Sequence, residues 1–237
     1  MDAPGYARNR TVSTVGPGLF APVGFLGAYL AVGPVSGASA DRPLPLPGSP
    51  ASDVAAYYAA NPTAVGTTAG LQILSVACFA VFVAALAPAL RAAGGAWLPR
   101  VGYLSVAAMV VSSALSVTLA MIASSASDAT VQILRQSNFY AGGVVNVVTL
   151  GVFVVGSALV LGRELLFGKP TRWFGFVSGG IAMMGLLSLA FYYANVALPV
   201  GRVLSMVWTI VAGIVVYRRV KAENRIIDAA PARSTER

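Results

Sequence analysis

The chain is 237 residues long, with 57% hydrophobic residues, 10% charged residues and a formal net charge of +8. A soluble domain carries about 25% charged residues, so the soluble classes are excluded and an all-α integral membrane protein is expected. The sequence has no His, which excludes His-ligated haem, His-containing zinc sites and His-dependent acid–base or triad chemistry. Its lone Cys78 lies in an apolar run and reads as a small buried hydrophobe.

Six apolar stretches are each close to the ~20 residues that cross a bilayer. They are about 19–38, 67–90, 101–123, 142–161, 174–193 and 200–217. Of the 16 basic residues, all but Arg42, Arg135 and Arg202 fall on one side if the N-terminus is inside. Basic residues mark the cytoplasmic side, so a polytopic six-span bundle with both termini cytoplasmic is predicted. The positive charge then reads as a cytoplasmic face toward anionic lipid, and no nucleic-acid partner is expected.

The first span has a rival reading. Arg8 and Arg10, an apolar run and Ala38-Ser39-Ala40 resemble a signal peptide with its cleavage site. The run is longer than such a region needs and contains Pro22 and Pro34, which favours a retained helix; cleavage would leave five spans.

Asp41–Gly48, rich in Pro, should be extended. Ser49 then reads as an N-cap with Pro50 at the first helical position and Asp53 in the first turn, giving a short helix Pro50–Ala60. Its Tyr57-Tyr58 pair suits an outer aromatic belt. A second outer helix is expected after the cap Ser127, with Val131, Leu134 and Phe139 as a weak apolar face.

Two inner hairpins share a pattern. Arg91…Trp97-Leu98-Pro99-Arg100-Val101-Gly102-Tyr103-Leu104-Ser105 resembles Arg163…Pro170-Thr171-Arg172-Trp173-Phe174-Gly175-Phe176-Val177-Ser178. Duplication of a helical hairpin accounts for this. So does the shared need of any cytoplasmic hairpin for basic residues, an interfacial aromatic and a helix-starting Pro. Residues 1–220 read as one transmembrane domain and 221–237 as a polar tail, disordered beyond a short helical extension.

No Asp, Glu, Lys or Arg lies in the middle of a span, which argues against a proton-coupled transporter or pump. Gly175 and Gly179, with Gly180, Ala182 and Gly185, mark a small face on the fifth span, and Ser112, Ser113 and Ser116 one on the third. Both suit close helix packing, within the chain in preference to a second copy. Asn146 and Gln72 should find interhelical partners, and Trp208 should fill the core.

Arg202 breaks the charge pattern and is expected in the first turn of the sixth helix, where the dipole disfavours a cation. Asp53, Asp128, a lipid phosphate or an anionic ligand would compensate it, with Asp53 the first expectation. Tyr57, Tyr58, Asn138, Tyr140, Tyr192, Tyr193 and Asn195 gather near it in the outer segments. The candidate ligand-binding set is therefore Asp53, Tyr57, Tyr58, Tyr140, Tyr192, Tyr193, Asn195 and Arg202, lining an outward amphipathic pocket. A plain aromatic belt with one structural ion pair is the simpler alternative.

No catalytic residue, metal site or cofactor is expected. A Ser–Lys dyad would need Lys169 or Lys221, both better read as rim charges.

Three stretches carry a resemblance: Ser52–Asn61 leading into the second span, the Leu90-Arg91 end of that span, and Pro199…Trp208…Arg218-Arg219. With them the chain resembles an uncharacterised family of small six-helix integral membrane proteins of high-GC bacteria. That resemblance implies fold and a bacterial plasma-membrane location, and carries no activity or site residue. The expected function is non-enzymatic: binding lipid, a hydrophobic small molecule, a membrane-protein partner or a second copy. The alternative is a facilitator or transporter subunit for a small amphipathic or anionic solute, using the pocket at Arg202.

Overall fold

A computed structural model describes residues 16–42, 44–45, 48–164, 166–191 and 195–229. All the regular secondary structure among the described residues is helical, without strands. In chain order the helices are α1 (Ala21–Ala38, after a 3-10 turn Pro17–Phe20), α2 (Ala51–Ala60), α3 (Pro62–Ala92) and α4 (Leu98–Ile122). They continue with α5 (Asp128–Asn138), a π-helical turn Phe139–Val145 and α6 (Asn146–Arg163). Then come α7 (Lys169–Met184, ending in a 3-10 turn Gly185–Leu189) and α8 (Ala197–Ala229).

Six of these helical runs are long and apolar enough to cross a membrane: Pro17–Ala38, Pro62–Ala92, Leu98–Ile122, Asp128–Arg163, Lys169–Leu189 and Ala197–Ala222. The chain is an all-helical bundle. Each span packs on the next, α1 on α3, α3 on α4, α4 on α6, α6 on α7 and α7 on α8, and α8 closes back on α1. The fourth span is the most enclosed of the six and the first the least.

Large apolar side chains fill the middle. Phe79, Phe82, Leu86, Leu90, Phe153, Leu161 and Trp208 are all fully buried. Phe153 makes edge contacts with Phe79 at 5.4 Å and Phe82 at 6.5 Å, and Phe25 of α1 stacks on Phe79 at 4.8 Å. Trp208 fills the core as expected, and its Nε1 donates to the Thr171 carbonyl at 2.9 Å, so burying the indole leaves no orphan N–H.

Glycines let the helices meet backbone to backbone. A Cβ on Gly179 would lie 2.7 Å from the Gly151 carbonyl oxygen, and a Cβ on Gly175 would lie 2.6 Å from the Ala158 Cβ. The small face of α7 is thus used inside the chain, against α6 and α8. Gly180 has nothing within 4 Å.

Several boundaries differ from expectation. The α2 helix starts at Ala51, with Pro50 at ψ 150° as its cap residue and no capping bond from Ser49. The Ser49 carbonyl instead accepts from Arg135 Nη1 at 3.2 Å. Tyr57 and Tyr58 are buried, 9% and 7% exposed, because α2 lies on α4 and α5, where Val54, Val65, Leu119 and Val131 complete a second apolar cluster. They do not form an outer belt. Ser127 does cap α5, accepting from the Thr130 N–H at 3.3 Å. That helix is continuous with the fourth span through the π turn, where two separate helices were expected. The sixth span's helix runs on to Ala229, which is the helical extension into the tail, and the rest of the tail lies outside the described residues.

Candidate functional site

The site lies at the end of the bundle that carries α2 and α5, and the π turn organises it. A π turn widens the helix by one residue and releases carbonyls from their regular partners. Here the Asn138 carbonyl accepts from Ser112 Oγ at 3.3 Å, and the Gly142 carbonyl accepts from Arg202 Nη2. Gly142 is required at this position, since a Cβ there would overlap the Ser112 side chain.

Ser112, Ser113 and Ser116 bond across helices, as their spacing predicted. Ser112 Oγ reaches Asn138 Oδ1, Asn138 Nδ2 donates to Ser116 Oγ at 2.7 Å, and Ser113 Oγ donates to Gln72 Oε1 at 3.2 Å.

A cavity of about 290 Å³ opens between these groups. Leu44, Pro45, Val54 and Tyr58 line it from the outer segments, Gln72 from α3, and Met109 and Ser112 from α4. Arg135 and Asn138 of α5, then Phe139, Gly142 and Gly143 of the π turn, form another wall, and Arg202 of α8 completes it. Burial pushes the Tyr58 phenol above its ordinary pKa, with the Ser116 hydroxyl bond acting the other way. A second cavity of about 390 Å³, lined in part by Ser36, Asp41, Arg42 and Tyr57, shares Leu44 with the first.

Arg202 sits deeper than predicted. Because α8 begins at Ala197, Arg202 lies in its second turn, about 7 Å along the axis at 1.5 Å per residue. Its guanidinium stands 5.4 Å from the centre of the Tyr29 ring of α1, and its Nε is buried without a hydrogen-bond partner among the described residues. The expected pair with Asp53 does not form. Asp53 is exposed on α2, and no carboxylate lines the cavity among the described residues.

Of the candidate residues, Arg202 and Tyr58 come together in this cavity, and Tyr57 lines its neighbour. Tyr140 is 40% exposed, accepts from Gln136 Nε2 at 2.7 Å and lines neither cavity. Asn195 is half-buried, with Oδ1 unpartnered, and also lies outside both. Tyr192 and Tyr193 lie outside the described residues.

Arg135, Met109, Ser112 and Tyr29 belong to the site but were not singled out for it. The adjacent Gly142-Gly143 pair was the one local signal that the backbone departs from an α-helix here. Among the described residues no three His, Cys, Asp or Glu side chains gather as metal ligands would.

No protein-family model, no curated protein and no solved structure matches the chain.

Proposed function

We propose that this is a non-enzymatic integral membrane protein that binds an amphipathic ligand, a lipid or a hydrophobic small molecule, in the cavity beneath α2 and α5. The observation that carries the reading is the cavity's floor. Beneath Met109 the bundle centre is packed with Phe79, Phe82, Phe153, Leu86 and Trp208, each fully buried. A blind cavity with apolar and polar walls suits retention of a ligand that is itself part apolar.

A facilitator for a small amphipathic or anionic solute is the second reading. The two adjoining cavities sharing Leu44 support it at the outer face, whereas the dry centre favours the binder. The asymmetry of the basic residues supports a cytoplasmic position for both termini, and burial of Leu19 and Phe25 in the core supports a retained first span. The resemblance to six-helix proteins of high-GC bacteria supports a bacterial plasma membrane.

Native mass spectrometry of protein extracted gently from its own membrane tests the reading. A stoichiometric retained amphiphile is the expected result. A bare chain, together with solute flux in reconstituted vesicles, would overturn it in favour of the facilitator.

A further inference from the structure

We propose that the ligand presents an oxyanion, a carboxylate or a phosphate, to Arg202 and Gln72. This rests on the binder reading above and specifies its chemistry. The argument is an imbalance of donors over acceptors in the cavity wall.

Arg202 brings a permanent cation into the cavity wall, where its contacts among the described residues are the neutral Gly142 carbonyl and the Tyr29 side chain, by ring face and hydroxyl. Neither cancels a charge, and Nε–H has no acceptor among the described residues. A buried unpaired charge and an unmet donor are each costly, so the site is incomplete as it stands. Across the cavity Gln72 lines the wall with its Oε1 engaged by Ser113, so its amide N–H donors are the part of the side chain left for a ligand.

Asn138 does not balance them, because its Oδ1 and Nδ2 are both held by Ser112 and Ser116. Arg135 lines the same wall and donates to the Ser49 carbonyl. A group rich in acceptors and negatively charged completes such a set, and guanidinium–oxyanion pairs are among the stronger charge-assisted hydrogen bonds. Val54 and Met109 offer apolar surface to whatever carries the anion.

The oxyanion has two sources, the head of an amphiphile in the outer leaflet or a free small anion. Purified protein in a neutral detergent is titrated with decanoate, decyl phosphate, decanol, acetate and inorganic phosphate. Bound mass and thermal stability are read for each. Decanoate or decyl phosphate should bind one per chain, with decanol about tenfold weaker or worse, the loss expected when a charge-assisted hydrogen bond is removed.

Arg202→Met should erase that preference and Gln72→Leu reduce it several-fold. Acetate or inorganic phosphate binding as tightly as the chain-bearing probes supports the oxyanion and names a free anion as its source. Decanol binding as well as decanoate to the wild-type protein overturns the oxyanion and leaves the amphipathic binder standing. Failure of every probe overturns both. The wild-type comparison decides even if Arg202→Met does not fold.

Discussion

Asn146 and Ser105 hold each other in both directions across the α4–α6 contact. The Asn146 side-chain amide donates to the Ser105 carbonyl at 2.8 Å and to its hydroxyl at 3.0 Å, while Ser105 Oγ donates to the Asn146 carbonyl at 2.9 Å. Both residues are buried, 3% and 1% exposed. Interhelical hydrogen bonds in membranes are each worth about 0.6–1.7 kcal/mol, and an orphaned buried group costs about 1–3 kcal/mol. Asn146→Leu should therefore destabilise the bundle by about 1–3 kcal/mol in mixed-micelle unfolding. The double variant with Ser105→Ala should lose less than the sum of the singles. Additive losses would show that the two residues act separately.

That pair was partly legible in the sequence. An amide in an apolar run must find a partner, but which helix supplies it depends on packing that no local pattern specifies. The six spans were readable because composition and length determine them. Arg202 was readable because it violates the charge asymmetry. Its surroundings were not, because the π turn at Phe139–Val145 places Gly142 and Asn138 in a register that an α-helical reading misassigns. Tyr57 and Tyr58 were misread for a related reason. An aromatic pair near an interface can face lipid or protein, and the short α2 turns them onto α4 and α5.

Adjacent glycines on α7 should behave oppositely. A Cβ at Gly179 would meet the Gly151 carbonyl oxygen and Val155 Cγ2, each at 2.7 Å, and the carbonyl belongs to a packed helix backbone. At Gly180 it would meet nothing within 4 Å. Overpacking costs about 1–3 kcal/mol, whereas Ala is the better helix former by about 1 kcal/mol. Gly179→Ala should destabilise by about that first amount, and Gly180→Ala should be neutral or stabilising. Equal destabilisation by both would mean that the lipid-facing side of α7 carries a contact of its own, such as a second copy.

Tyr58 gives the outer cluster a pH dependence. Its phenol titrates above the ordinary 10.0, chiefly because burial disfavours the phenolate; Tyr57 adds to the shift, while Ser116, Arg135 and Asn138 oppose it. Folding therefore favours the neutral form. The stabilisation is fully present below the unfolded-state value near 10 and is lost as pH rises through that value and then the higher folded-state one. Spectrophotometric titration of wild type minus Tyr58→Phe should show one phenol ionising late, with unfolding of the outer segments in the same range. A difference curve centred at the ordinary value would mean that this phenol is solvated.

Orientation is decided by labelling from one side. Cys78 is the single cysteine of the chain and is half-buried in α3, so Cys78→Ala provides a clean background. Ser124 is exposed in the turn before α5, at the end that carries the cavity. Ala96 is exposed in the turn between α3 and α4, at the other end. If the basic residues orient the bundle, Ser124→Cys should react with a membrane-impermeant maleimide in intact cells, and Ala96→Cys only after permeabilisation. The reverse pattern would put the Arg202 cavity on the cytoplasmic face. Its oxyanion would then come from the inner leaflet or the cytosol, where anionic lipid is the nearer source.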